Sequence, residues 1–183
     1  MGGYMSSDVP AVSAKPGGGE TVRATHNNNE GDKQTVLIPV DASKEAEIAF
    51  EWYVRHVHRP GNDVRIMHFG EIEYPSGKHY PDYAIPPEMW ADKIAKAREH
   101  SNTVLDKYRQ RVQQLQIDAH TSFELGRPGH SIVTQAKTLN ASMIVMGTRG
   151  MGFLQRAMLG SVSNYVISHT SVPVTIVPRT TEV

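Results

Sequence analysis

The chain has no cysteine among its 183 residues. That absence removes disulfide frameworks, thiolate nucleophiles and cysteine-based zinc sites in one step. No apolar run approaches the ~20 residues of a membrane span, and no charged-then-apolar leader opens the sequence. The expectation is therefore a cytoplasmic protein with no membrane partner. Nor is there a charge surplus, since 19 basic side chains stand against 19 acidic ones; a nucleic-acid partner, which requires a basic face, is not expected. His56 and His58 are two apart and do not share a helix face, so they make no metal pair, and no protein metal ligand is assigned.

What is present suits one core of ordinary size, with 39% hydrophobic and 21% charged residues. Residues 1–31 are rich in Gly, Ser, Asn and Pro without periodicity and read as a disordered N-terminal tail. Residues 32–180 read as a single domain. Thr35–Val40 is a compact apolar strand, and Ser43 is a good N-cap for a helix carrying Ala46, Ala49, Phe50, Tyr53, Val54 and Val57 on one face. A second strand follows at Asp63–Phe69. The long connection from Gly70 to Pro87 leads to a charged helix over Glu88–Gln116, with Met89, Ile94, Ala97, Val104, Leu105, Tyr108, Val112 and Leu115 as its inward stripe. Ile117–Glu124 is a third strand, and a helix over His130–Asn140 faces the sheet with Ile132, Val133, Ala136 and Leu139. Met143–Met146 is a fourth strand, Ser161–His169 a fourth helix capped by Ser161, and Ser171–Pro178 a fifth strand. This alternation predicts an α/β fold, a doubly wound three-layer sandwich around a five-stranded parallel sheet, with its ligand beyond the strand C-termini.

The most informative stretch is SMIVMGTRGMGFLQRAMLGSVSNYVISHTSVPVTIVP, from Ser142 to Pro178. Gly147, Gly150 and Gly152 allow positive φ and close backbone approach, and the fourth helix points its free N–H groups and positive dipole end back at that turn. This is an anion cradle. It is not a P-loop, because Phe153 and Leu154 stand where Lys and Ser/Thr are required. The dinucleotide pattern fails as well, since Gly150-x-Gly152 is followed by Gln155. Gly147-x-x-Gly150, nine residues and then Gly160-Ser161, flanked by MGTRG and SVPVTIVP, resembles the universal stress protein (UspA-like) family, specifically its ATP-binding branch.

The resemblance covers about residues 34–178 and implies a Rossmann-like sheet of the adenine nucleotide alpha hydrolase-like kind, with strand order 3-2-1-4-5. It implies that Pro39 and Val40 hold adenine through backbone groups, that Asp41 accepts from the ribose hydroxyls, and that Met67 belongs to the adenine-side wall. Met146, Gly147, Arg149, Gly150, Gly152, Gly160, Ser161, Val162 and Ser163 would complete the nucleotide-binding residues, with the glycine turn, Arg149 and the helix end at the phosphates and Ser161 and Ser163 offering hydroxyls. Arg149 and Arg156 are the only formal cations of the loop, so Mg²⁺ or Mn²⁺ is expected, held mainly by phosphate oxygens and water. Ser142 replaces an Asp common in the family and affects helix-to-strand packing more than the ligand.

No catalytic residue is assigned. His68 lies in a strand without a recognisable acid partner and reads as a packing or hydrogen-bonded histidine. The implied function is an ATP-binding, nucleotide-dependent stress-response switch with at most slow hydrolysis; the alternative is a nucleotide hydrolase or adenylyl-transferring enzyme of related fold. The last strand, apolar and without a blocking lysine, is expected at a sheet edge, where a homodimer would bury Val174, Ile176 and Val177.

Overall fold

Runs of apolar residues unbroken by polar ones make strands only where both faces of a sheet are covered. The computed structural model, which describes residues 33–71, 87–148 and 159–179, has that arrangement. The elements in order are β1 (Thr35–Val40), α1 (Lys44–His56), β2 (Asp63–Gly70), α2 (Pro87–Gln114), β3 (Ala119–Leu125), α3 (Pro128–Thr138), β4 (Met143–Gly147), α4 (Ser161–His169) and β5 (Val174–Val177). The strands are all parallel, in the order β3-β2-β1-β4-β5. The order implied by the family resemblance is the observed one.

Period-two alternation divides the core between the two faces. Val36, Ile38, Val40, Val64, Ile66 and Val145 pack under α1 and α2 with Phe50, Tyr53, Leu105 and Tyr108. Leu37, Met67, Phe69, Ile144 and Met146 pack on the opposite face with Ile132 and Ala136 of α3 and Val166 of α4. The stripe expected on α2 is buried from Val104 through Val112; Met89 lies outside the described side chains.

Element ends differ from expectation for local reasons. Gln116 takes φ 54° and the Ile117 N–H donates back to Val112 O at 2.9 Å, so α2 stops at Gln114 and β3 starts at Ala119 instead of Ile117. α3 begins two residues before His130 because Pro128 occupies its first turn, where a missing N–H costs nothing. It ends at Thr138 instead of Asn140; Asn140, just past the C-cap Leu139, is left-handed at φ 48°, which Asn tolerates better than most side chains. The tail of residues 1–31 and most of the Gly70–Pro87 connection lie outside the described residues.

Because β1 is followed outward by β2 and β3 on one side while β4 and β5 lie on the other, strand order reverses between β1 and β4. A crevice opens beyond the C-terminal ends of those two strands.

Candidate functional site

One wall of the crevice is the end of β1. Ser43 caps α1, its hydroxyl oxygen accepting from the Ala46 N–H at 3.2 Å, as its position before an apolar-periodic segment dictates. Asp41 is turned into the same corner, where its Oδ1 accepts from the Ser43 N–H at 3.0 Å and from the Ser43 hydroxyl. Its carboxylate is thus anchored at the rim, beside Pro39 and Val40.

The facing wall is built where β4 meets α4. Gly147 ends β4 so close to α1 that a Cβ there would lie 2.7 Å from the Glu45 carbonyl oxygen. The Gly160 N–H donates to Thr148 O at 2.8 Å and the Thr148 N–H to Val177 O at 3.2 Å, which ties the start of α4 to β4 and β5. Gly160, extended at φ −62° and ψ 154°, is the N-cap. The expectation that Ser161 caps this helix is therefore corrected: Ser161 is the first helical residue, and the extended backbone a cap requires falls on the glycine before it. Ser161 is exposed at the mouth, whereas Ser163 is buried and its hydroxyl donates to Gly147 O at 3.0 Å. Ser163 fastens α4 to the strand, and its proton is engaged there.

Between these walls lies a crevice of about 270 Å³. Of the expected residues it brings together Pro39, Val40, Asp41, Met146, Gly147, Gly160, Ser161, Val162 and Ser163. Met67 is buried on the same face of the sheet but does not line the crevice; Phe69, two residues nearer the strand end, does. Pro128 and Ile132 of α3 complete the apolar side. These three were missed as lining, as was Ala46 in the first turn of α1, although alternation in β2 places Met67 and Phe69 on one face. Arg149, Gly150 and Gly152 lie outside the described residues, as does Arg156. Asp41 is the only ionisable side chain among the described lining. The end of α4 directs N–H groups that have no intrahelical partner, and its positive dipole end, into the crevice. Such an arrangement can receive an anion at one end and a flat apolar group at the other.

His68 points to the other face of the sheet. It is buried, its Nδ1 is 2.9 Å from the Ser101 hydroxyl, and that hydroxyl donates to Ala97 O at 2.7 Å, so it acts as a hydrogen-bonded packing histidine. Burial pushes the imidazole below its ordinary pKa, His100 pushes the same way, and Asp41 opposes both. A base with a depressed native pKa takes up its proton more readily when unfolded. His68 therefore contributes stability above the ordinary histidine value of 6.5, and that contribution is lost as pH falls below it. His58, also held down by burial, works in the same direction. Urea midpoints should fall from pH 7.5 to about 5.5, and the fall should be smaller in His68→Gln; an identical slope in the variant would assign it to other groups.

Fold and crevice define a doubly wound α/β protein with a helix N-terminus aimed at the switch point of its parallel sheet. Residues 33–178 match the Universal stress protein family, and the chain belongs to that family. Among its relatives, the universal stress protein YxiE of Bacillus subtilis is 27% identical over 143 residues, covering 78% of this chain and 97% of its own. The universal stress protein UspA from Lactobacillus plantarum has the same fold at a TM-score of 0.65 and 24% identity, covering 79% of this chain and 97% of its own. A universal stress protein family member from Arabidopsis thaliana, solved with AMP bound, shares the fold at a TM-score of 0.56 and 17% identity, over 81% of this chain and 93% of its own. Among the described residues no helix is long and apolar enough to cross a membrane.

Proposed function

We propose that this chain is an ATP-binding universal stress protein of the cytoplasm, a nucleotide-dependent switch with at most slow hydrolysis. The observation that carries the reading is the crevice at the β1/β4 switch point, where Pro39, Val40 and Asp41 face Gly147 and the start of α4. The AMP held by the Arabidopsis relative lends it support. Adenine would lie against Phe69 and the backbone of Pro39 and Val40, the ribose hydroxyls would donate to Asp41, and the phosphates would meet the N–H groups at Gly160–Ser163. Arg149, Gly150 and Gly152 are proposed as further nucleotide-binding residues.

Mg²⁺ or Mn²⁺ fits as an ion carried in by the triphosphate. The described lining has one carboxylate, already accepting from Ser43, and no cluster of three metal-ligating side chains is found among the described residues. Phosphate oxygens and water would therefore supply most of its ligands. The same scarcity argues against rapid phosphoryl transfer, which uses a positioned base and a lysine on the phosphates. Calorimetric titration with ATP, ADP and AMP in Mg²⁺ is expected to show binding that weakens at least tenfold in Gly160→Val, about 1.4 kcal/mol. Absence of heat at about 1 mM nucleotide would overturn the reading.

We also propose a homodimer through β5, which among the described residues is an edge strand paired only with β4. Val177 is already buried under α1 in the single chain, so the contact would draw its area from Val174 and Ile176. The Ile144 N–H bonds to Pro173 O and the Thr148 N–H to Val177 O; by parallel alternation, the N–H groups of Val174 and Ile176 face outward. Light scattering should give twice the 20.3 kDa chain mass, and Ile176→Pro, which removes an outward donor, should return the monomer. A monomeric native chain counts against the dimer.

A further inference from the structure

A second groove, larger than the crevice, lies on the opposite face of the sheet. It has a volume of about 990 Å³ and runs along α1 from Lys44 to His56, flanked by the C-terminal half of α2 and the end of β5. Its floor is apolar, with Ile48, Trp52 and Val177, and the Trp52 indole lies stacked on the His56 ring at a centroid distance of 5.3 Å. Its rims are cationic, with five Lys and Arg side chains against two carboxylates, Glu47 and Glu51. Both carboxylates are already spent inside the rim, Glu47 on Lys44 and Lys107 and Glu51 on Arg111. Arg55 has no ion-pair partner among the described residues.

One segment of this chain has complementary chemistry and starts at the right place. Residues 1–32 carry four carboxylates, Asp8, Glu20, Glu30 and Asp32, against Lys15 and Arg23. Within them Tyr4, Met5, Val9 and Val12 bracket Asp8, and Pro10 favours an extended path for its neighbours. The segment joins the fold just ahead of Thr35, at the N-terminal end of the sheet, toward which α1 and α2 run their C-termini. His56 and Gln114, near those C-termini, line that end of the groove. A chain of twenty residues, the length of 13–32, spans about 25 Å when it has no regular structure, and the thirteen residues of α1 extend about 20 Å. The connection therefore reaches any point of the groove, and tethering raises the effective concentration to the millimolar range, so weak contacts suffice.

We propose that residues 4–12 of this chain lie in the α1–α2 groove of the same molecule, with Tyr4, Met5 and Val9 on the Ile48–Trp52 floor and Asp8 against Arg55. The absence of cysteine makes the test direct. In the full chain, Ser13→Cys bears a single nitroxide label, and paramagnetic broadening is read on backbone amides, with the reduced label as reference. The expected result is strong broadening at Glu51, Trp52, Arg55 and Gln110 and little at Tyr165 and Ile167 on α4. Adding Arg55→Glu should lower the docked population about two- to fivefold, with unshifted α3 and α4 signals showing that the fold is intact. Scattered broadening, broadening centred on α3 and α4, or none would overturn the proposal. So would broadening seen only between a labelled molecule and a separate isotope-enriched one, which would place the segment on a second copy.

Discussion

Gly147→Ala is expected to lower stability by about 3 kcal/mol, the upper end of what overpacking costs. The new methyl would lie 2.7 Å from the Glu45 carbonyl oxygen, 2.8 Å from its carbon and 3.0 Å from its Cβ. The first two are backbone atoms in the first turn of α1, so no rotamer change relieves the contact; the helix itself must move off β4. Gly129 makes the comparison. The three atoms nearest a Cβ there all belong to the side chain of Tyr165, Cδ1, Cγ and Cβ at 2.8–3.1 Å; the ring is exposed enough to turn, and the remaining contact with its Cβ needs a shift of only a few tenths of an ångström. Gly129→Ala also gains part of the about 1 kcal/mol that alanine is worth over glycine in a helix interior, Gly129 being in the first turn of α3, so its net effect should be smaller than that at Gly147. Thermal scans should show Gly147→Ala down by roughly 6–12 °C and Gly129→Ala closer to the parent. Equal shifts in the two variants would mean that backbone proximity at Gly147 is not what matters.

The glycine was conspicuous in the sequence for a different reason. Its spacing to Gly150 and Gly160 marked a phosphate loop, whereas the structure gives it a second duty, the close approach of β4 to α1, which no local pattern announces. The legible parts were those that depend on local periodicity: consecutive apolar residues at Val36–Val40 and Met143–Met146, the α1 stripe, and the Ser43 cap. What escaped depends on partners distant in sequence. Ser101 lies on the α2 stripe between Ala97 and Leu105, and only the arrival of His68 from β2 turns that polar position into a buried hydrogen bond. Phe69 was passed over for Met67 because the two share a face, and which of them reaches the crevice depends on how far β2 extends beyond β1. The Ser161 cap failed by one residue because glycine and serine are both acceptable caps and sequence alone does not rank them.

Phe50→Ala should have the largest effect on stability, about 3–5 kcal/mol. Phe50 is 2% exposed on α1, and its ring meets that of Tyr108 on α2 edge-to-face, with centroids 5.5 Å apart and planes at 83°. It joins the two helices that cover one face of the sheet. For a domain of ordinary stability, about 5–15 kcal/mol, the loss is a fifth or more of the total. The contribution of the ring contact separates from that of volume in a double-mutant cycle with Phe50→Leu and Tyr108→Leu, where the coupling should be about 0.5–1.5 kcal/mol. Urea unfolding is the measurement, with the midpoint lowered and the slope unchanged, because a cavity alters stability without altering the surface exposed on unfolding. A Phe50→Ala loss below about 1 kcal/mol would show that α1 and α2 repack over the gap and that the face they cover is less tightly specified than its burial implies.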